Sequence, residues 1–410
     1  MTGNGTPGRP APGALHGVVV ADFTQLVQGP FATQILGDLG ADIVKIEPAK
    51  GDWMRAYALE NAYPGGESIS FLAFNRNKRS IVLDLKHPRG LEVARRIADR
   101  ADVLIENFRP GVMDRLGLGY DVVSASNPRL VYCSSSGYGA SGPYSTRPGQ
   151  DLLIQSLTGL VYLNGRAGDP PVPVGMGVAD LVTGLGIVYG VLAALVARDR
   201  TGRGQRVETD LLSSLVAFQG QEIAAYLNTG RLPERSAAGV SSPSTGAPYG
   251  LHVTADGYLA IAMTPMSLLG PLIGLDHYAH DTNLNPMDDR DDIQREVGEA
   301  LRARTTQEWL DVLLPAGVWC APVQDYEAMS ADPQIAHNEM LVDLEHPTAG
   351  TVRVPGIPVR FSETPGAVRS NPPLLGEHGD ELLRELLGLD EDEIASLRGS
   401  GALGATGAQS

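Results

Sequence analysis

From Val18 to Ser134 the chain alternates short apolar runs with helical patterns, and this alternation restricts the fold more than any other feature. Val18–Phe23 reads as a buried strand. Pro30 suits the first turn of a helix that runs to Leu39 and stops at Gly40. Ile43–Ile46 and Ser80–Leu85 read as further strands, and Pro88–Asp99 as an amphipathic helix. Val103–Glu106 is again a strand, Val112–Leu116 a short helix and Leu130–Ser134 a strand. Strands that alternate with helices imply a parallel sheet covered on both faces, so the predicted class is α/β.

The second half is less regular. Leu152–Leu163 and Leu181–Arg198 read as helices, the latter apolar on nearly every side and therefore central. Leu181–Ala197 carries no charge, but it is at the short limit for a membrane span, contains Gly184, Gly186 and Gly190, and stands alone. A buried helix is the expected reading, with no membrane partner. Arg206–Thr209 reads as a strand and Leu211–Leu227 as a helix. The Gly, Ser and Pro content of Arg231–Pro248 marks a loop or domain junction. Tyr258–Met263 and Val318–Val323 read as strands, Asp291–Ala303 and Thr306–Leu314 as helices. Short extended pieces follow around Val352–Phe361, and a last helix begins near Glu377. Met1–Leu15, rich in Gly, Pro and Thr without an apolar core, reads as a flexible tail rather than a signal or anchor.

With 410 residues, the chain can bury the cores of two or three domains. Its net charge of −16 argues against nucleic acid, which requires a basic field, but leaves room for a small anionic ligand in a local positive pocket. Cys133 and Cys320 are too few for a disulfide framework and lack metal spacing, which fits a reduced cytoplasmic setting without a metal. His252, His337, His346 and His378 are scattered and form no metal motif.

Asp180 stands at the head of the long apolar helix, close behind Gly175 and Gly177. An Asp at such a boundary is commonly an N-cap. Caps outnumber nucleophiles, but it can also be a carboxylate held anionic by the helix dipole, beside glycines that admit a thioester, and so act as a covalent nucleophile. The residues alone leave both readings open. The first βα turn, Thr24–Pro30, lacks the G-x-G-x-x-G fingerprint, which weakens a nicotinamide dehydrogenase reading. Gln25 and Gln28 in that turn are candidate donors to a carbonyl oxygen, or simply solvated amides. The basic run Asn75–Arg79 is a weak phosphate signal, because such runs are usually solvated. Glu106–Gly111 follows a strand end, where open α/β sheets bind ligands; there Phe108 either stacks on a purine or belongs to the core, with Arg115 about a turn onward. Ser136–Gly139 follows another strand end and reads as a backbone wall.

Ten segments in order resemble the class III CoA-transferase family, which includes formyl-CoA, carnitine-CoA and bile-acid-CoA transferases. They are Val20-Ala-Asp-Phe-Thr24, Gly29-Pro-Phe-Ala-Thr-Gln34, Leu36-Gly-Asp-Leu-Gly-Ala-Asp-Ile-Val-Lys-Ile-Glu47, Asn77-Lys-Arg-Ser80, and Glu106-Asn-Phe108 with Pro110-Gly111. Asp114-Arg-Leu-Gly117, Ala179-Asp180, Ala193-Ala-Leu195, Thr201-Gly-Arg-Gly-Gln205 and Pro373-Leu-Leu-Gly-Glu-His378 complete the set. The match extends from about Gly17 to Leu387.

The resemblance implies that Asp180 is the nucleophile and that CoA, a substrate rather than a resident cofactor, lies near Leu26, Val27, Leu83, Lys86, Asn107, Phe108, Arg115 and Tyr138. Gln25, Gln28, Gly137, Gly139 and Gln150 are candidate oxyanion or substrate contacts, as are backbone N–H groups of the Ser241–Gly250 loop. The resemblance further implies an interlocked homodimer and a Rossmann-like large domain plus a smaller α+β domain. The expected division is 1–15 tail, 16–228 large domain, 229–325 small domain and 326–410 returning to the large domain. Racemases of the same family carry Gly-His-Asp, where this chain has Gly149-Gln150-Asp151, and Gln is no base at neutral pH. That favours CoA transfer from an acyl-CoA to a carboxylic acid over racemisation. A catalytically idle CoA-binding protein is the alternative from another class. Ser241-Ser-Pro-Ser-Thr-Gly246 replaces the glycine-run lid of the oxalate-using members, which argues against oxalate.

Overall fold

A computed structural model describes residues 12–404. The chain forms two compact units: Met1–Ile154 with Gly177–Leu215 and Pro333–Ser410, and Gln155–Met176 with Val216–Asp332. The divisions therefore fall after Ile154, Met176, Leu215 and Asp332, not at the expected 228/229 and 325/326.

The first unit is built on a six-stranded parallel sheet of β1 (Val19–Asp22), β2 (Asp42–Glu47), β3 (Lys78–Val82), β4 (Val103–Glu106), β5 (Val131–Ser136) and β6 (Arg206–Asp210). Their order is β3-β2-β1-β4-β5-β6, with Val20 opposite both Ile43 and Val103. Successive side chains of a strand point to opposite faces, so β1, β2, β4 and β5 each supply two cores. Val20, Ile43, Val103, Ile105, Val131 and Cys133 face one side. There they pack on α1 (Gln28–Asp38), through Ala32 and Leu36, and on the long apolar helix Val178–Thr201, through Ile187, Val191 and Ala194. Ala21, Val44, Ile81, Leu104 and Tyr132 face the other side, against Val93 and Ile97 of the helix Pro88–Arg100 and Leu382, Leu383 and Ile394 of two C-terminal helices, Gly379–Leu387 and Glu391–Gly399.

Among the described residues, Val178–Thr201 is the one helix long and apolar enough to cross a membrane, and half of its apolar window is buried. Leu15, in the expected tail, donates its N–H to Leu39 O and packs against the first core; the tail's earlier part lies outside the described residues.

The expected helix Leu152–Leu163 is interrupted. An α-helix over Asp151–Leu157 stops before Gly159, whose φ of +80° ends it, and a single 3-10 turn follows over Leu160–Tyr162. The expected Leu211–Leu227 helix divides likewise into Leu211–Phe218 and Gly220–Thr229. Among the elements that escape the apolar-run reading are the helix Ile69–Phe74 and the strand Leu341–His346, which forms an antiparallel hairpin with Gly350–Pro355; Leu344, Val352 and Val354 form a small core with Leu72. The second unit holds a three-stranded antiparallel sheet of Gly250–Val253, Tyr258–Ile261 and Cys320–Pro322. Its core includes Leu259, Leu269, Val297 and Trp309, with the indole N–H of Trp309 donated to Leu301 O at 2.7 Å.

Candidate active site

The strand order reverses direction between β1 and β4, and ligands of open α/β sheets commonly bind beyond the C-terminal strand ends at such a switch point. The loop after β1 is held almost atom by atom. Buried Asp22 accepts from Thr24 N at 2.9 Å and from the Thr24 and Thr33 hydroxyls at 2.5 and 2.7 Å. Lys45 Nζ donates to Thr24 O at 3.0 Å and to Asp52 Oδ2 at 2.9 Å. Asn107, just past β4, clamps Gln25 from both sides, accepting from its N–H at 2.9 Å and donating to its carbonyl at 2.8 Å. Leu26 N donates to Asp52 Oδ1 at 3.1 Å.

Lys45 and Lys78 are fully buried beneath the loop. Burial works against the charge of Lys45, yet Asp52, Asp22 and Glu47 keep its pKa above the usual lysine value. Burial pulls Lys78 down to about 7 despite Asp22 at 3.3 Å, and the charge of Lys45 adds to the decrease. Arg76 is buried on the Asp38 carboxylate, and Arg79 pairs with Asp42, Glu381 and Glu385. The basic run is thus structural, and its charges are already neutralised.

Asp180 is not a cap. The N-cap of Val178–Thr201 is Gly177, and the exposed N–H groups of Ala179 and Asp180 are taken by Asp151 Oδ1 at 2.6 and 3.3 Å. That capping acceptor comes from far back in the chain and was not anticipated. Asp180 is half-buried, and its carboxylate accepts no hydrogen bond from a described residue. Burial, with the Asp151 charge behind it, raises its pKa to about 7. A methyl group placed on Gly177 would stand 3.5 Å from Asp180 Oδ2, so the glycine leaves that oxygen approachable. One turn on, Gly184 lets the start of α1 come close: a Cβ there would lie 2.8 Å from Gln28 O. Gln28 is buried, and its Oε1 accepts from Ser135 Oγ at 2.7 Å. The helix contact therefore brings Gln28 within about a turn of Asp180.

A carboxylate with a pKa near 7 is a nucleophile only above that pH. We expect kcat/KM to fall on the acid side with a limb near pH 7. Asp151→Asn keeps a capping oxygen but removes the neighbouring charge, so it should move that limb to lower pH with little change in Tm. A limb that stays in place would exclude Asp180 as its source.

The other expected positions differ in exposure. Leu26 is exposed, Val27 half-buried, and Lys86 and Arg115 are exposed. Leu83 is a correction: its side chain is 1% exposed within the sheet core, and its backbone bridges to Leu403, so it offers a ligand no side-chain surface. Phe108 is half-buried against the same core, with its N–H donated to Glu106 at 2.9 Å. Tyr138 sets its ring edge-on to Tyr144 and donates its OH to Pro148 O at 3.4 Å. Gly137 lies backbone to backbone against Gly149. The N–H of Gly139 is donated to Ser136 Oγ at 3.0 Å and is therefore not free for an oxyanion. Gln150 is exposed at the start of the Asp151–Leu157 helix. The Ser241–Gly250 loop belongs to the second unit.

A polar cleft of about 280 Å³ opens at the ends of β4, β5 and β6, lined by Glu106, Asp114, Tyr132, Arg206 and Asp210 among others, and does not include Asp180. Burial raises the Glu106 carboxyl there to about 7. Among the described residues no group of His, Cys, Asp and Glu is arranged to hold a metal, and both cysteines are free.

The family described as CoA-transferase family III matches residues 15–379. An acyl-CoA transferase from Fusarium pseudograminearum is 38% identical over 95% of this chain and 88% of its own length. The human succinyl-CoA:glutarate CoA-transferase is 34% identical over 95% of this chain and 90% of its own. Among solved structures, a CAIB/BAIF family protein from Brucella suis superposes with a TM-score of 0.82 at 33% identity, covering 92% of this chain and all of its own. The switch in strand order, the ten ordered motifs and these matches agree: the chain belongs to CoA-transferase family III.

Proposed function

We propose that this CoA-transferase moves coenzyme A from an acyl-CoA to a free carboxylic acid with Asp180 as covalent nucleophile. The observation that carries the reading is an approachable, half-buried carboxylate at a helix start already capped by Asp151. An Asp carboxylate in such a place has no structural duty to the helix and is desolvated, which strengthens it as a nucleophile.

Asp180 attacks the donor thioester carbonyl, the C–S bond breaks, and CoA leaves as thiolate from a mixed anhydride. The thiolate then attacks the aspartyl carbonyl and releases the donor acid, giving an aspartyl-CoA thioester. The acceptor carboxylate attacks that thioester to form a second anhydride. Returning thiolate attacks the acceptor's acyl carbon, releasing the new acyl-CoA and free Asp180. Each anhydride and each thioester forms through a tetrahedral oxyanion, for which Gln28 and the Gly137 backbone are the proposed donors.

CoA is proposed to lie across the strand ends at the switch point, with Leu26, Val27, Asn107 and Phe108 beside it and with Lys86 and Arg115 for its phosphates. The name of the human relative pairs a succinyl donor with glutarate, which makes a short dicarboxylic acid the proposed acceptor class. A cytoplasmic homodimer completes the reading. The exposed stripe of Leu185, Tyr189 and Val196 on the long helix favours a second copy as partner.

The test is mass spectrometry of enzyme incubated with succinyl-CoA and then treated with hydroxylamine or borohydride. Modification of the peptide containing Asp180 is expected. An unmodified peptide during demonstrable turnover would sink the covalent route. Loss of an α-proton to solvent without any acceptor acid would point to racemisation instead.

A further inference from the structure

Leu26 has a φ of +68°, a left-handed conformation that a leucine side chain disfavours, and the side chain is 41% exposed in the loop after β1. With much of the side chain open to solvent, hydrogen bonds to the Gln25–Leu26 peptide hold the turn, from Asn107 on Gln25 O and from Asp52 on Leu26 N–H. The one group holding the Leu26 N–H is Asp52 Oδ1. The Asp52 carboxylate is itself fixed: Oδ2 takes Lys45 Nζ at 2.9 Å with both side chains fully buried, and Asp52 N donates to Glu47 Oε2 at 2.9 Å. The same lysine holds Thr24 O. Strained backbone of this kind persists only where its surroundings over-determine it, and it collects at ligand sites.

We infer that Asp52, braced by Lys45, is a positioning residue that locks Leu26 in its left-handed turn and so pre-shapes the loop Thr24–Val27 for acyl-CoA. This rests on the proposed placement of CoA at that loop. Without the brace the loop relaxes toward an ordinary conformation, and ligand must restore the turn when it binds. Binding weakens by the cost of holding one non-glycine residue in the left-handed region, about tenfold in an equilibrium constant. Because the loop shapes binding and is not consumed in the chemistry, the effect falls on Kd and KM rather than on kcat at saturating donor.

Three variants of the full-length protein test this: Asp52→Ala, Leu26→Gly and the two combined, with CoA binding measured by calorimetry. Asp52→Ala is expected to raise the Kd for CoA about tenfold. Glycine adopts the left-handed turn without a clamp, so in the Leu26→Gly background the same Asp52→Ala change should raise Kd less than about twofold. An equal effect in both backgrounds, or no effect in either, overturns the inference. Should Asp52→Ala unfold because buried Lys45 loses its carboxylate, Asp52→Ala combined with Lys45→Met removes the brace and the stranded charge together. That pair should raise Kd about tenfold in the wild-type background and less than about twofold in the Leu26→Gly background, and an equal effect in both also overturns the inference. The two readings fail separately. Asp180 modification reports on the nucleophile whatever the CoA affinity, and CoA affinity reports on Asp52 whatever happens at Asp180.

Discussion

Asp180→Ala should lower kcat by about 10⁴-fold or more while leaving the fold intact, because it removes the proposed nucleophile of the proposed covalent route. Two structural facts separate this loss of chemistry from a loss of folding. The first turn of the long helix is capped by Asp151, so removing the Asp180 carboxylate leaves Ala179 N–H satisfied. Burial raises the Asp180 carboxyl to about 7, well above the ordinary aspartate range, so its charged form is disfavoured in the folded state. The sign of the stability effect follows. Below about pH 4 the group is protonated whether folded or unfolded and contributes no difference. As pH rises from there to about 7, the unfolded chain releases the proton first, and the folded state loses relative stability. Above pH 7 the penalty is complete, and Asp180→Ala relieves it. Thermal unfolding should therefore show the variant equal to wild type at pH 4 and as stable or more stable at pH 8. A variant that is inactive and also melts early at pH 8 would return Asp180 to a structural role.

The largest effect on stability is expected at Asp38→Ala. Asp38 Oδ1 accepts from Arg76 Nε at 2.9 Å and Asn77 Nδ2 at 2.7 Å, and Oδ2 accepts from Arg76 Nη2 at 2.7 Å. The Arg76 and Asp38 side chains are 3% and 5% exposed. The same guanidinium donates to Pro355 O, and Asn77 Nδ2 donates to Ala367 O, so the network ties the end of α1 to the C-terminal segment. Removing the carboxylate strands a buried guanidinium, which costs about 3–5 kcal/mol, whereas the exposed pair of Arg79 with Glu385 belongs to a class worth about 0–1 kcal/mol. A thermal or denaturant midpoint lowered by several degrees or its equivalent is expected for Asp38→Ala. Unchanged midpoints would mean that water or a rearranged side chain replaces the carboxylate.

These networks show where reading the sequence stops. Strand and helix positions around β4 were legible because their signals are local: Val103–Glu106 and the short helix Val112–Leu116 lie where the apolar spacing puts them. The covered parallel sheet followed from the same alternation. The basic run Asn75–Arg79 gave neither of its expected readings. Its neutralising carboxylates, Asp22, Asp38, Asp42, Glu381 and Glu385, come from distant segments that only the fold brings together. Asp151 as the cap of the Asp180 helix was hidden for the same reason, although Gly149-Gln150-Asp151 had been singled out for a different purpose. Leu83 sits in a segment that suits ligand binding by resemblance, yet the strand pleat turns its side chain into the core. The broken helices at Gly159 and before Gly220 were masked by apolar residues on both sides of each break.

The most direct measurement of the central claim follows oxygen. In the proposed route the acceptor carboxylate supplies the bridging oxygen of the second anhydride, and cleavage at the acceptor's acyl carbon leaves that oxygen on Asp180. Enzyme turning over succinyl-CoA with ¹⁸O-labelled glutarate should therefore acquire heavy oxygen in the peptide containing Asp180, and in no other carboxylate. Turnover of labelled acid with that peptide unlabelled would contradict the assignment of Asp180 as the residue through which coenzyme A is passed.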